Sequence, residues 1–150
     1  MVSDDTFRAY LERSAAALTA WRGFVTDVAT CDVSVEGRNV RLELRPNTRH
    51  ACPVELVLYA KQRYDIAIAG EIYEDVGLTG REEFVPLLTA ITEGRVVTRT
   101  ELSALTERPV AVETIVTVGG GQVWRRGRPI APAEAETIYR DHHYLPYRRE

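Results

Sequence analysis

Two adjacent histidines, His142 and His143, stand beside Asp141 and ahead of Tyr144 and Tyr147. Histidine titrates near neutral pH and serves as general base, proton shuttle or metal ligand. A metal pair on a helix needs ligands four residues apart, whereas adjacent helical residues diverge by about 100°. The pair therefore reads first as the cationic end of a helix, close to carbonyls that lack partners. The second group is Arg49-His50-Ala51-Cys52-Pro53. A thiolate nucleophile needs a base or cation to lower its pKa, and His50 and Arg49 are the neighbours that Cys52 has. Zinc would need about four ligands with paired spacing, and only Cys31 and the three histidines are there to supplement Cys52. The competing reading is a small thiol buried under a surface loop. His142, His143, His50 and Cys52 are thus the candidates for a catalytic or small-ligand site, with no metal or cofactor expected.

Gly119-Gly120-Gly121 invites comparison with a phosphate loop, but such loops lead into a helix N-terminus. Here the glycines lead into Gln122-Val123-Trp124, and a hairpin turn fits them better. From Gln122 onward Arg125, Arg126, Arg128, Arg140, Arg148 and Arg149 face four acids, six against four, which is thin for a nucleic-acid surface. The net charge of −3 over the whole chain argues the same way. Lys61 is the single lysine beside eighteen scattered arginines, a pattern of coding bias rather than of a phosphate site.

The acidic side is richer. Glu71, Glu74, Asp75, Glu82 and Glu83 gather around Tyr73, with Tyr59 and Tyr64 on the preceding hairpin, and between Lys61 and Glu107 nine acids face five bases. Tyrosine loses little entropy on contact, and clustered charge steers an oppositely charged partner. Solvation and helix N-terminal charge are the ordinary alternative. No ordered spacing of oxygen ligands for a cation is visible.

Elements must position all of these groups. Ser3 is placed to cap a helix with Asp4 and Asp5 in its first turn, and Phe7, Tyr10, Leu11, Ala15, Leu18 and Trp21 recur at helical steps up to Gly23. The stretch from Phe24 to Cys31 fits either more helix or the start of a sheet. Val33 and Val35, a turn over Glu36-Gly37-Arg38-Asn39, then Val40, Leu42 and Leu44 form a hairpin. After the irregular stretch 46–53 come two more strands, 54–60 and 65–73. Thr79 and Glu82 have capping-box spacing before Phe84, Leu87, Leu88 and Ile91, with Pro86 a misfit unless the helix starts near Val85 or its first turn is kinked. Val96 to Leu102 and Val110 to Val118 alternate, and 122–125 is the hairpin return. Pro132 suits the first turn of a last helix running to about His142, with 144–150 a tail.

The expectation is one α+β domain over residues 1–150. It has a mainly antiparallel sheet of about seven strands, with helices at the N-terminus, middle and C-terminus on one face. Leu42, Leu56, Ile68, Val112 and Val116 should be buried, with Arg41, Glu43 and Glu113 on the other side. A chain with 45% apolar and 27% charged residues buries a sufficient core without disulfides. Ser3, Asp4 and Asp5 are unlike a secretory leader, and no apolar run is long enough for a bilayer. A cytoplasmic protein with reduced Cys31 and Cys52, not engaging membranes, is expected. The element order is similar in part to that of small acidic secretion chaperones and several toxin-immunity proteins, without a shared motif. The favoured function is non-catalytic binding of another protein (a toxin, an effector or a second copy) through the acidic, tyrosine-bearing surface. The alternative is an enzyme or small-ligand binder.

Overall fold

The structure, a computed structural model, describes residues 2–149. Helix α1 (Asp4–Arg22) begins where Ser3 Oγ accepts the Thr6 amide at 3.3 Å, and Asp4 and Asp5 lie at the positive end of its dipole. Its buried stripe is Phe7, Tyr10, Leu11, Leu18 and Trp21, and it stops at Gly23. The ambiguous stretch resolves into turns, with β1 starting at Ala29.

Five strands follow: β1 (Ala29–Glu36), β2 (Asn39–Pro46), β3 (Val54–Tyr59), β4 (Arg63–Ile68) and β5 (Glu71–Gly77). They form an antiparallel meander in that order. Val40, Leu42 and Leu44 align with Leu58, Leu56 and Val54 on β3, and those in turn with Tyr64, Ile66 and Ile68 on β4. One face is therefore continuous apolar surface; α1 lies over β1 and β2, and Phe84 of the second helix meets Tyr64 of β4 edge-on at 5.2 Å. The single strand expected over 65–73 is in fact two. Ala69 and Gly70 both take positive φ, 56° and 76°, which makes a two-residue hairpin turn. The turn reverses parity, so Ile72 is 65% exposed while Tyr73 is buried.

Helix α2 (Phe84–Thr92) starts after Glu83, so Pro86 sits in the first turn, where its missing amide costs no helical bond. The Thr79–Glu82 contact does form, but it braces the loop before the helix and does not cap it. Trp21 Nε1 donates to Thr89 Oγ1 at 3.1 Å and the Tyr10 hydroxyl to the Glu82 carbonyl at 2.9 Å, tying α1 to the second helix and its approach.

A second antiparallel sheet has the order β8-β7-β6-β9, built from β6 (Val96–Ser103), β7 (Pro109–Thr117), β8 (Val123–Pro129) and β9 (Thr137–His143). The described residues are thus α+β with nine strands in two sheets and two helices, where the sequence suggested about seven strands and three helices. The last helix is the clearest correction. Pro132 precedes β9, and Thr137, Ile138 and Tyr139 are β-formers that pair with β6. The parity expectation holds: Leu42, Leu56, Ile68, Val112 and Val116 are buried, and Arg41, Glu43 and Glu113 lie at wet positions. After β9 the chain docks back on the body. The Tyr147 amide bonds the Thr92 carbonyl at 2.8 Å, and its buried hydroxyl donates to the Cys52 carbonyl.

Candidate functional site

Strand geometry separates the groups that a helix would have brought closer. Side chains of adjacent strand residues point to opposite faces. His142 therefore packs edge-on against Tyr144 at 4.8 Å, while His143 lies on the other face beside Asp141. Asp141 makes a two-pronged bond with Arg99, 2.9 Å at each oxygen, and that hydrogen bond holds its carboxyl below the usual carboxylate range. His50 is exposed on its loop at a φ of 65°, whereas Cys52 is fully buried. Burial pushes the Cys52 thiol up to about 11, the opposite of an activated nucleophile. Cys31 is also buried and free, with its thiol raised by desolvation. Among the described residues no group of three or more His, Cys, Asp or Glu side chains is placed to hold a metal ion.

The acidic residues are redistributed as well. Tyr73 points into the core, where its hydroxyl shares a 2.8 Å hydrogen bond with Thr114 and its ring meets Trp124 edge-on at 6.1 Å. Glu71 bonds Arg128 at 2.6 Å. Glu82 accepts from the amides of Thr79, Gly80 and Arg81; burial alone would raise its pKa, yet these bonds bring it below the usual value. Glu83 is exposed at the start of α2. Glu74 and Asp75 remain, both exposed on β5, where the register with β4 is irregular and both face Asp65. Asp75 takes a φ of 56°, and its amide bonds Asp65 Oδ1 at 2.7 Å. The expected surface is thus dispersed: Tyr73 is core, Glu71 and Glu82 are engaged, and Glu74 and Asp75 belong to a different face.

That face is the open side of the five-stranded sheet. By strand parity it carries Thr30, Asp32 and Ser34 from β1, Arg41, Glu43 and Arg45 from β2, Glu55 and Val57 from β3, and Asp65 and Ala67 from β4. Asp32 stands directly opposite Glu43, and Glu43 directly opposite Glu55, which gives a row of three carboxylates across three strands. Arg41 bonds Glu43 at 2.9 Å and also Glu55, and Arg45 bonds Glu43 at 2.6 Å. Neither arginine reaches Asp32 among the described residues. At the far side Tyr59 donates to Asp65 at 2.8 Å, and this bond raises the tyrosine's pKa. Lys61 and Arg63 sit 3.9 and 3.8 Å from Asp75. With Glu36 and Glu74 the face holds seven carboxylates against Arg41, Arg45, Arg63 and the rim Lys61, a net of −3.

Sequence reasoning missed Asp32, Glu55 and Asp65, and took Glu43 only as a wet-side position. The Gly37-Arg38 turn fixes Asp32 against Glu43 by simple counting, so half of the row was within reach. Glu55 was not, because the irregular stretch 47–53 sets its register. Elsewhere a groove of about 580 Å³ runs between α1 and the approach to α2, lined by Ala17, Trp21, Phe24, Val85 and Pro86. No helix of the described residues is long and apolar enough to cross a membrane. Comparison with protein-family models, curated proteins and solved structures finds no match to the chain.

Proposed function

We propose that the protein is a non-catalytic binding module whose open five-stranded sheet face receives a basic surface of another protein. The observation that carries this reading is the row Asp32–Glu43–Glu55, like charges at directly opposed positions on three adjacent strands. Like charges directly opposite one another oppose folding. Arg41 and Arg45 offset this at Glu43 and Glu55 but form no ion pair with Asp32 among the described residues. A basic partner would complete the row, since complementary charge governs approach and register more than raw affinity. Val57, Ala67 and Ile72 supply apolar surface beside the charges. Glu74 and Asp75 remain in this reading, and Tyr59 takes the place of Tyr73 as the contact tyrosine.

The enzyme alternative draws little from the geometry, because Cys52 is inaccessible and His142 and His143 are turned to opposite faces. The test is position-specific photo-crosslinking in cells. A crosslinker at exposed Ser34, on the open face, is expected to capture a basic protein, and one at Ala17 in the helix groove is not. Capture from position 17 alone would reject the assignment of this face.

A further inference from the structure

Strand β9 is a sheet edge, because in the order β8-β7-β6-β9 only β6 pairs with it. None of its seven residues is buried, so it is wet on both faces. Antiparallel sheets ordinarily leave only one face to water. Ile138 is 43% and Tyr139 65% exposed, and the open edge ends at His143, because the Leu145 amide beyond it bonds the His50 carbonyl at 3.0 Å. The backbone direction of this edge follows from its ladder. The Ala104 amide bonds the Glu136 carbonyl at 3.1 Å and the Tyr144 amide bonds the Val96 carbonyl at 3.4 Å. Hydrogen-bonded pairs alternate along an antiparallel ladder. The even-numbered residues of β9 are therefore the ones bonded to β6. The amides and carbonyls of Thr137, Tyr139, Asp141 and His143 point away from the sheet, unpaired by any strand.

The other edges are defended. β8 ends on Pro129, which has no amide to offer an added strand. β5 is broken by the irregularity at Glu74–Asp75. On β1 the first outward amide, Ala29, is already bonded to the Val25 carbonyl at 2.9 Å, which shortens that edge to Cys31, Val33 and Val35. β9, wet on both faces, is the more open template.

We propose that two copies of the chain join by antiparallel addition of β9 to β9, about a two-fold axis through Tyr139 normal to the sheet. Such an axis maps each face onto itself, so odd residues meet odd and even meet even. Centred on Tyr139, the pairing sets Thr137 opposite Asp141, Ile138 opposite Arg140 and Glu136 opposite His142, with no like charges opposed. The outward groups of Thr137, Tyr139 and Asp141 then supply about six backbone hydrogen bonds. An axis through Arg140 or Asp141 would oppose like charges, which is destabilising. One through Ile138 would run off the start of the strand. In the joined sheet of eight strands the two Tyr139 rings become neighbours, each flanked by the Arg99 guanidinium that already lies 5.6 Å from its centre. This inference uses a different surface from the acidic face, so either can fail alone.

Sedimentation of the full chain, with circular dichroism as a check on folding, tests it. The wild type is expected at twice the 16.9 kDa chain mass. Ile138→Arg sets guanidinium against guanidinium at Arg140 of the second copy and should raise the dimer dissociation constant about tenfold or more. Adding Arg140→Glu to it makes the paired charges opposite and should restore the dimer. Tyr139→Pro removes an outward amide without removing a β6 hydrogen bond and should also give monomer. A wild type that stays monomeric at about 0.1 mM, the upper range of a weak specific dimer, overturns the proposal. So does a dimer that persists in both Ile138→Arg and Tyr139→Pro, or one abolished instead by Val33→Pro on β1.

Discussion

At the scale of single residues, burial decides which groups have chemistry left to offer. Cys52 is fully buried with its thiol pushed to about 11, and Cys31 is shielded in the same way. Neither should react with iodoacetamide at pH 8 while the protein is folded, and both should react once it is unfolded. Fast labelling of Cys52 in the folded state would revive the nucleophile reading. Tyr147 locks the same region, since its hydroxyl satisfies the Cys52 carbonyl. Tyr147→Phe leaves that buried acceptor unpaired, and chemical denaturation should show a loss of about 1–3 kcal/mol. Asp32 presents the reverse case. It opposes Glu43 without an ion pair of its own, so Asp32→Asn should raise stability. A loss of stability would mean that the row is structural rather than held in readiness for a partner.

The elements show where special backbone is required and where pattern is silent. Gly94 ends α2 at a φ of 77°, and a Cβ there would lie 2.8 Å from the backbone nitrogen of Pro146. Gly94→Ala should therefore cost more than about 1–2 kcal/mol, the left-handed penalty alone, and loosen the 144–148 segment in hydrogen exchange. The loop before α2 has its own pH dependence. The Glu82 carboxyl is lowered in the folded state, so its contribution is present above the ordinary value of 4.5 and is lost as pH falls through the lower folded value. Exchange at the Thr79 and Arg81 amides should speed up over that range, and Glu82→Gln should abolish the change. Most elements were legible because one face of each meets the core: β2, β3 and β7 alternate cleanly, and α1 carries its stripe. β9 was illegible for the same reason inverted. A strand wet on both faces has no alternation, and Ala133, Glu134, Ala135 and Glu136 before it favour a helix. The β4–β5 turn escaped because Ala69-Gly70 lacks the Asn-Gly signature of its turn type, and with it went the parity of Tyr73.

For the whole molecule, the five-stranded sheet spends its apolar face on both helices and keeps its other face charged. The four-stranded sheet is anchored through Val96, Val116 and the contacts of Tyr73 with Thr114 and Trp124. The acidic face depends on register between distant strands, and a linear reading of charge found only its Glu74–Asp75 margin. Because the face has a net charge of −3, its binding should weaken as salt shortens the screening length. The most direct measurement is an amide chemical-shift titration of the full chain with octa-arginine as a minimal basic probe. Shifts centred on Thr30, Asp32, Ser34, Glu43 and Glu55 are expected, fading between about 0.05 and 0.3 M salt and lost in the Asp32→Arg, Glu55→Arg variant. Shifts centred on the helix groove or β9, or a titration unchanged by that variant, would contradict the assignment of the open face.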